Sequence, residues 1–285
     1  MEGFSEANTH LNAGEQSQLS ETWSKLWQGQ PSDEQALKKE IKRHQVERKF
    51  FIKLLAKCVA DTPVKNPQVL EIACGTAIDS FLLASTTPQA QILATDLLPE
   101  SIDYAKNILK INSLNNLQFG VADGTKLEQL GKKFDIIFSQ GLLEHFQDPS
   151  PFMESQTHAL NDDGLLVINV PQKYNPYTFY KHRKIKKNAW EYGWETEYSF
   201  AQLKKLGEKF NLRPIAWCGS GYDPRRDYGL GILRLGIQRL QEKNPWRAKF
   251  PFKQIEILYD KLWEIPERKF GHYFMQSITV AFRKS

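Results

Sequence analysis

The stretch that decides the fold reads Val69-Leu70-Glu71-Ile72-Ala73-Cys74-Gly75-Thr76. An apolar run that ends in an acid and enters a tight, glycine-containing turn is typical of a parallel β-strand leading into a ligand-binding loop. The segment 79–84 predicts a helix, and the next apolar run, 92–95, ends at Asp96. Together these segments form one βαβ unit, in which a ligand binds beyond the carboxyl ends of the strands. Asp96 is well placed there to bond the hydroxyls of a ribose.

The same stretch narrows the kind of ligand. The dinucleotide fingerprint G-x-G-x-x-G falls on Ala73, Gly75 and Ile78, so two of its three glycines are missing. Three acids close or follow strand-like runs and should meet at one crevice: Glu71, Asp96 and Asp123. Three carboxylates would repel a pyrophosphate but suit a sulfonium and an ammonium group. The plainer alternative is an α/β domain in which Gly75 only makes a structural turn.

Further segments continue the pattern along the chain. Run 117–122 predicts a third strand before Asp123-Gly124, run 134–140 predicts a fourth, and Asp162-Asp163-Gly164 predicts a turn into a fifth at 165–171. In order and spacing, residues 69–171 resemble the class I S-adenosylmethionine-dependent methyltransferases, in particular their small-molecule branch. The resemblance implies an α/β, Rossmann-like seven-stranded, mostly parallel sheet with an antiparallel last strand, plus N-terminal and inserted helical caps.

The resemblance also implies S-adenosylmethionine as the cofactor. Ala73 and Ala77 stand where this family most often has glycine; we expect Ala73 to be extended and Ala77 to enter the helix, both at little cost. An inactive, repurposed site is the alternative. The acid after the third strand would bond the adenine amino group. The implied cofactor-binding residues are Glu71, Ala73, Cys74, Gly75, Thr76, Asp96, Leu97, Asp123, Gly124 and Gln140.

Catalytic candidates follow the fourth strand, where Glu144-His145 is an acid–imidazole pair just past a strand end. By resemblance this position faces the transferring methyl group. His145 is therefore the candidate base, with Glu144 orienting it or binding the substrate; alternatively, His145 only packs near the cofactor. No metal-ligand cluster is expected. Arg43, His44 and Arg48 are candidates for the methionine carboxylate, although a solvated helix face explains each of them as well.

The chain divides, on these patterns, into four parts. We expect a disordered tail at 1–20, an N-terminal helical cap at 21–64 with one long helix through 37–55, the cofactor-binding half of the core at 65–171, and its C-terminal half at 172–285. The last part holds two lid insertions, at about 172–199 and 219–272, between which strand six ends at Trp217. Strand seven is expected to open at Tyr273.

The first lid segment (172–199) interleaves aromatic and basic residues, and its substrate candidates are Tyr177, Tyr180, Tyr192 and Trp194. Its basic run 181–187 has four interpretations: a solvated loop, a site for an anionic acceptor, an RNA-binding surface, or, together with an apolar stripe at 230–240, a membrane surface. That stripe is more often part of a protein's own core.

Composition limits the remaining choices. Three cysteines, Cys58, Cys74 and Cys218, have no metal-binding spacing and fit a reducing compartment. No run approaches a membrane span, and the polar start lacks a secretory signal, so a cytoplasmic location is expected. The net charge of +5 permits RNA binding without requiring it. The sequence thus predicts methylation of a small molecule, anionic in one interpretation, at oxygen or nitrogen; the alternatives are an RNA methyltransferase and an inactive cofactor-binding or peripheral-membrane module.

Overall fold

The computed structural model of the protein describes residues 34–109, 114–187, 189–190, 195–220, 254, 258 and 269–285. The predicted tail 1–20, the start of the N-terminal cap and most of the second lid insertion lie outside these residues. So do two of the four substrate candidates, Tyr192 and Trp194.

Seven strands form a single sheet in the order β3-β2-β1-β4-β5-β7-β6. All pairs are parallel except those of β7, which is antiparallel to both β5 and β6. The predicted mostly parallel sheet with an antiparallel last strand is therefore confirmed. The strands are β1 (Gln68–Ile72), β2 (Gln91–Asp96), β3 (Leu117–Val121), β4 (Phe134–Gln140), β5 (Leu160–Pro171), β6 (Leu212–Ser220) and β7 (Ser277–Lys284).

Helices cover both faces of this sheet, as the buried apolar runs of its central strands require. On one face α2 and α3 pack against alternate residues of β1, β4 and β5; on the other, residues from α5 and α7 complete a larger core. The helices are α1 (Glu34–Glu47), α2 (Lys49–Asp61), α3 (Ile78–Thr86), α4 (Pro99–Leu109), α5 (Ser150–Ala159), α6 (Pro176–Ile185) and α7 (Phe200–Glu208). None of the described helices has the length and apolar composition to cross a membrane.

The N-terminal segment differs from the single long helix expected through 37–55. The chain breaks at Arg48, whose φ of −109° and ψ of 18° are not helical, and continues as α2. Phe51, Leu55 and Cys58 of α2 are buried against the sheet, so this part of the predicted cap is a layer of the core. α1 is then free to contact α3, at the cofactor loop.

β5 begins five residues earlier than expected, at Leu160. Its register against β4 shifts between the pairs Phe134–Leu160 and Ile136–Leu165. Asp163 lies within this shift and has a left-handed φ of 60°. The predicted turn at 162–164 is thus an irregularity within the strand. A side chain at Gly164 would meet the Asn161 carbonyl oxygen at 2.8 Å, which explains the glycine.

The C-terminal part also differs in its boundaries. β6 continues past Trp217 to Ser220, residues 269–274 are helical, and β7 opens at Ser277 rather than Tyr273. The buried amide of Asn169 on β5 donates to the hydroxyl oxygens of Ser220 (2.9 Å) and Thr279 (2.6 Å). These bonds join β5, β6 and β7 near the carboxyl end of β5.

Candidate active site

The loop between β1 and α3 has an alternating left-handed backbone. The φ angles are 54° at Ala73, 53° at Gly75 and 52° at Ala77. The expectation that Ala73 is extended and Ala77 helical is therefore wrong: both alanines adopt the conformation that glycine would adopt freely, at about 1 kcal/mol or more each. The bonds from Cys74 N to Thr95 O (2.9 Å) and from Ala77 N to Cys74 O (2.7 Å) hold the loop in this shape.

Asp96, the last residue of β2, supports this loop directly. Its Oδ2 accepts a hydrogen bond from Gly75 N and its Oδ1 accepts one from Leu98 N, both at 3.0 Å. Burial raises the pKa of Asp96, and these bonds oppose the shift. Ser101 and the Leu97 backbone also bond this carboxylate, so Asp96 shapes the loop through several contacts at the edge of the sheet where a ligand is expected.

A buried charge cluster lies beside the loop, at the start of α3. Asp79, in the first turn of α3 and 3% exposed, forms an ion pair with the guanidinium of Arg48. His44 Nδ1 lies 3.8 Å from Asp79 Oδ1. Glu71, at the end of β1, accepts a hydrogen bond from Ser80 N at 3.2 Å. Of the three cations proposed for the methionine carboxylate, two are thus held at Asp79, while Arg43 pairs with Glu40 on the surface.

The two acids of this cluster have opposite pKa shifts. Burial, together with the nearby negative charge of Asp79, raises the pKa of Glu71 well above its usual value. Burial would also raise the pKa of Asp79, but Arg48 and His44 outweigh it and lower that pKa. Since Asp79 Oδ1 has no hydrogen-bond partner among the described residues, acceptor capacity for a cation remains here.

The remaining predicted cofactor residues lie at the same edge of the sheet, because β1 to β4 are parallel. Asp123, after β3, accepts hydrogen bonds on Oδ1 from Thr125 N (2.9 Å) and Thr125 Oγ1 (2.7 Å). A side chain at Gly124 would meet Ile72 Cγ2 at 2.7 Å, so only glycine fits. Leu97 is 58% exposed beside Asp96. Cys74 is buried, whereas Ala73, Thr76 and Gln140 are half-buried.

These residues fit the predicted cofactor. The three carboxyl groups of Glu71, Asp79 and Asp96 suit an ammonium group, a sulfonium charge and ribose hydroxyls. Exposed Leu97 offers an apolar surface to a flat base. Within the described residues, no group of three or more His, Cys, Asp or Glu could hold a metal ion.

The predicted catalytic pair lies on a 3₁₀ turn, Leu143–His145, directly after β4. The chain enters this turn through Gly141, which has a φ of 69°. Glu144 is 4% exposed, and its Oε2 has no hydrogen-bond partner in the described part of the chain. Oε2 therefore makes no hydrogen bond to His145. His145 is half-buried.

Burial raises the pKa of Glu144 to about 8, and the carboxylates of Glu195 and Glu197 add to the shift. Both of these acids come from the first lid segment, which the bond from Thr196 N to Glu144 O (2.8 Å) ties to the end of β4. Glu144 is thus a buried carboxyl that is mostly protonated at neutral pH and can exchange a proton near it.

The first residue of the basic run is not available to a ligand. Lys181 is 2% exposed and forms ion pairs with Glu195 Oε2 (2.7 Å) and with Glu197. His182 Nε2 lies 2.7 Å from Glu197 Oε2. Exposed positions of the run begin with His182 and include Arg183, Lys186 and Lys187.

Two of the substrate candidates are described, and both are on α6. The rings of Tyr177 and Tyr180 lie 5.8 Å apart, and Trp190 lies 6.4 Å from Tyr177. Trp190 Nε1 donates to Glu195 Oε1 at 3.0 Å, which joins these rings to the lid's ion pairs.

Sequence reasoning missed Asp79 as a partner of the N-terminal cations and missed Glu195 and Glu197 as partners of Lys181. For Asp79 a signal was present: an acid in the first turn of a helix that leaves a ligand loop is favoured by the helix dipole and is well placed to receive a cation. Nothing in the spacing of the two glutamates distinguishes them from solvated acids.

The geometry can now be set beside known proteins. A family model described as a methyltransferase domain matches residues 63–215. The chain belongs to that family. The sequence predictions of a methyltransferase and of S-adenosylmethionine as its methyl donor are confirmed by this membership and by the fold.

Individual relatives agree with this assignment. The chain is 29% identical over 220 residues to a malonyl-[acyl-carrier protein] O-methyltransferase of Paenibacillus sp. (strain JDR-2), covering 72% of this chain and 76% of that one. It is 30% identical over 101 residues to the enzyme of that name from Acetivibrio thermocellus, of which the match spans only 34% (35% of this chain). Among solved structures, a magnesium protoporphyrin IX methyltransferase from Synechocystis PCC 6803 shares the fold, with a TM-score of 0.56 and 13% identity. The match covers 93% of this chain and 94% of that chain.

Proposed function

We propose that this methyltransferase domain transfers the methyl group of S-adenosylmethionine to oxygen or nitrogen of a small-molecule acceptor. The observation that carries the proposal is the left-handed loop 73–77, held by Asp96 at the end of β2. The loop, the buried acids beside it and the carboxylate of Asp96 would suit a nucleoside and an ammonium group at one sheet edge.

Each part of the cofactor has a residue suited to it. Asp96 would bond the ribose hydroxyls, Glu71 the ammonium group, and Asp123 the adenine amino group, with Leu97 against the face of the base. When bound, the cofactor supplies an electrophilic methyl group whose sulfonium leaving group departs as a neutral thioether. The protein's contribution to such a displacement is mostly alignment and exclusion of water.

At the acceptor side, Glu144 is the better candidate for direct contact. Its Oε2 is buried without a hydrogen-bond partner among the described residues, and a carboxyl whose pKa lies near the working pH is well matched to accept a proton. His145, on the same turn, is the second candidate for that proton.

An anionic acceptor, which is one of the four interpretations of the basic run, would rely on residues such as the half-buried Lys184 and the exposed Lys186 and Lys187, because Lys181 is already paired. Neutralising these three lysines together would lower turnover if the acceptor is anionic and leave it unchanged otherwise.

Calorimetry with S-adenosylmethionine tests the cofactor site. Asp96→Ala removes both the ribose contact and the acceptor for Gly75 N. Because the loss of each bond lowers affinity by about tenfold, we expect the affinity for the cofactor to fall at least about a hundredfold. Asp103→Ala, at an exposed acid on the neighbouring helix α4, is the matched control and should bind normally. Normal binding by Asp96→Ala would place the cofactor elsewhere.

Glu144→Gln and His145→Gln separate the two catalytic candidates once an acceptor is known from a metabolite screen with labelled cofactor. General-base loss lowers kcat by about a hundredfold or more. We expect that loss for Glu144→Gln and a smaller one for His145→Gln, with cofactor affinity retained in both; the reverse ranking would assign the base to His145.

A further inference from the structure

The feature with an unassigned chemical role is the Glu144 carboxyl. It is 4% exposed, and its Oε2 lacks a hydrogen-bond partner in the described residues. A buried polar atom without a partner costs about 1–3 kcal/mol, so we expect a group other than the described residues to complete it, and a bound acceptor is the candidate for that group. That group has to bring a hydrogen-bond donor to Oε2 or accept a bond from it.

The charged groups around Glu144 indicate whether this partner donates a hydrogen bond to Oε2 or accepts one from it. The charged groups near Glu144 are Glu195, Glu197 and Lys181, with His182 beyond them on Glu197. Lys181 is already neutralised by its ion pairs with both lid glutamates. Among the described residues around Glu144, therefore, three carboxyl groups lie near one ammonium group, that of Lys181, and one imidazole, that of His182, so these described groups are acidic on balance.

An acidic environment of this kind discriminates among acceptors. A carboxylate or phosphate would be repelled by Glu195 and Glu197, while a neutral hydroxyl could bond Oε2 but would gain nothing from the acidic surroundings. An ammonium group supplies both donors and the missing positive charge. The half-buried Trp190 ring, joined to Glu195 through Nε1, already has the Lys181 ammonium group 5.8 Å from its centroid, which shows that this part of the lid accommodates a cation.

We propose that Glu144 Oε2 receives the ammonium group of a primary or secondary amine, so that the atom methylated is nitrogen. This inference rests on the proposed function and gives it an acceptor class. It departs from the anionic acceptor that is one interpretation of the basic run, and that acceptor becomes one outcome of the test below.

The proton balance is simple. In the free protein Glu144 is mostly protonated at neutral pH, because burial raises its pKa to about 8. Binding of an ammonium ion favours the carboxylate, so one proton leaves to solvent as the amine binds. Before methyl transfer, one N–H proton passes from the ammonium group to Oε2, which restores the carboxylic acid and leaves the nitrogen lone pair free to attack.

Binding, rather than turnover, tests the inference. The full-length protein is saturated with S-adenosylhomocysteine, the demethylated cofactor, and titrated calorimetrically at pH 7 with amines of three lengths: benzylamine, 2-phenylethylamine and 3-phenylpropylamine. The matched carboxylates and alcohols of the same lengths serve as comparison ligands. Buffers of different ionisation enthalpy report the number of protons released.

We expect at least one amine to bind about tenfold or more tightly than its matched carboxylate and alcohol, with release of close to one proton. Glu144→Gln should abolish the proton release and the preference, whereas Glu154→Gln, at an exposed glutamate of α5, should change neither. Tighter binding of the carboxylates, an amine preference that survives Glu144→Gln, or no amine binding at any length would each overturn the inference.

The same titrations distinguish this inference from the proposed function. If S-adenosylhomocysteine itself gives no heat, the proposed function fails and the inference falls with it. If it binds while amines are not preferred, only the inference is lost.

Discussion

Arg48, at the break between α1 and α2, forms an ion pair with Asp79 in the first turn of α3. The pair connects the N-terminal helices to the helix that leaves the cofactor loop, and Asp79 is almost entirely buried. A buried acid needs its cation, so cofactor-loop geometry and the docking of α1 are energetically coupled.

Replacing Arg48 by Met should leave the buried Asp79 carboxylate without its main cation. Breaking a buried pair by removing one partner costs about 3–5 kcal/mol, and somewhat less here because the Arg48 side chain is 25% exposed. We expect urea denaturation to show a free energy of unfolding lower by about 2–4 kcal/mol, with weaker cofactor binding. Asp79→Asn added to Arg48→Met should recover part of the loss. Arg43→Met, which removes a surface pair with Glu40, is the control and should cost less than about 1 kcal/mol. Equal losses for the two arginine variants would contradict the coupling.

Ala73→Gly should stabilise the protein. The left-handed backbone at Ala73 is strained for alanine and free of strain for glycine, and relief of about 1–2 kcal/mol exceeds the entropic cost of about 0.4–1 kcal/mol from a more flexible unfolded chain. Thermal and chemical denaturation should show a gain of roughly 0.5–1 kcal/mol. Ala60→Gly, at an exposed position in helix α2, is the control and should instead cost about 1 kcal/mol. A loss at both positions would mean that the loop is not left-handed at residue 73.

Glu144 should make stability depend on pH. Its folded-state pKa of about 8 lies above the unfolded value of ~4.3, so the native state holds a proton that the unfolded chain has lost between these limits. The contribution of this proton to the free energy of unfolding is complete below pH ~4.3. The free energy of unfolding then falls as the pH rises towards 8, by on the order of a few kcal/mol in total. The difference in unfolding free energy between Glu144→Gln and the parent should therefore grow in favour of the variant from pH 5 to pH 8. Parallel stability curves would show that the carboxyl titrates normally.

Lys181→Met should destabilise the first lid segment strongly. Glu195 and Glu197 would remain buried without their cation, at a cost of about 3–5 kcal/mol. Because Lys181 lowers the pKa of Glu144, the titration of Glu144 should also move upward. Adding Glu195→Gln and Glu197→Gln should recover much of the stability. The exposed pair Lys57–Asp61 supplies the control, because Lys57→Met should lower the free energy of unfolding by less than about 1 kcal/mol. An equally small loss for Lys181→Met would mean that the ion pairs of Lys181 contribute little to stability.

The sequence predicted best where local pattern and fold agree. The buried runs at 68–72 and 134–140 became β1 and β4 as expected, because parallel central strands require continuous apolar residues. The acids at the strand ends, Glu71 and Asp96, lie at the predicted edge for the same topological reason.

Prediction was weaker where contacts distant in the chain decide the local shape. Arg48 has good helix propensity and nothing nearby ends a helix there; the break places its side chain on Asp79, 31 residues away. Ala73 and Ala77 take the left-handed conformation because Asp96 and Thr95 fix the loop. Lys181 belongs to a run of basic residues, yet its burial depends on two acids that follow it by 14 and 16 positions. Propensity and periodicity do not report such tertiary partners.

The position of β7 between β5 and β6 has a consequence for synthesis of the protein. Until residues 277–284 have left the ribosome, β6 has no partner in the sheet and β5 exposes one unpaired side, including the amide of Asn169 that later bonds Ser220 and Thr279. A nascent chain held at this stage carries open strand edges, which are prone to pair with other chains. Stop codons or fusions that remove or obstruct these residues are therefore expected to yield insoluble protein, even though every predicted cofactor-binding residue has already been made.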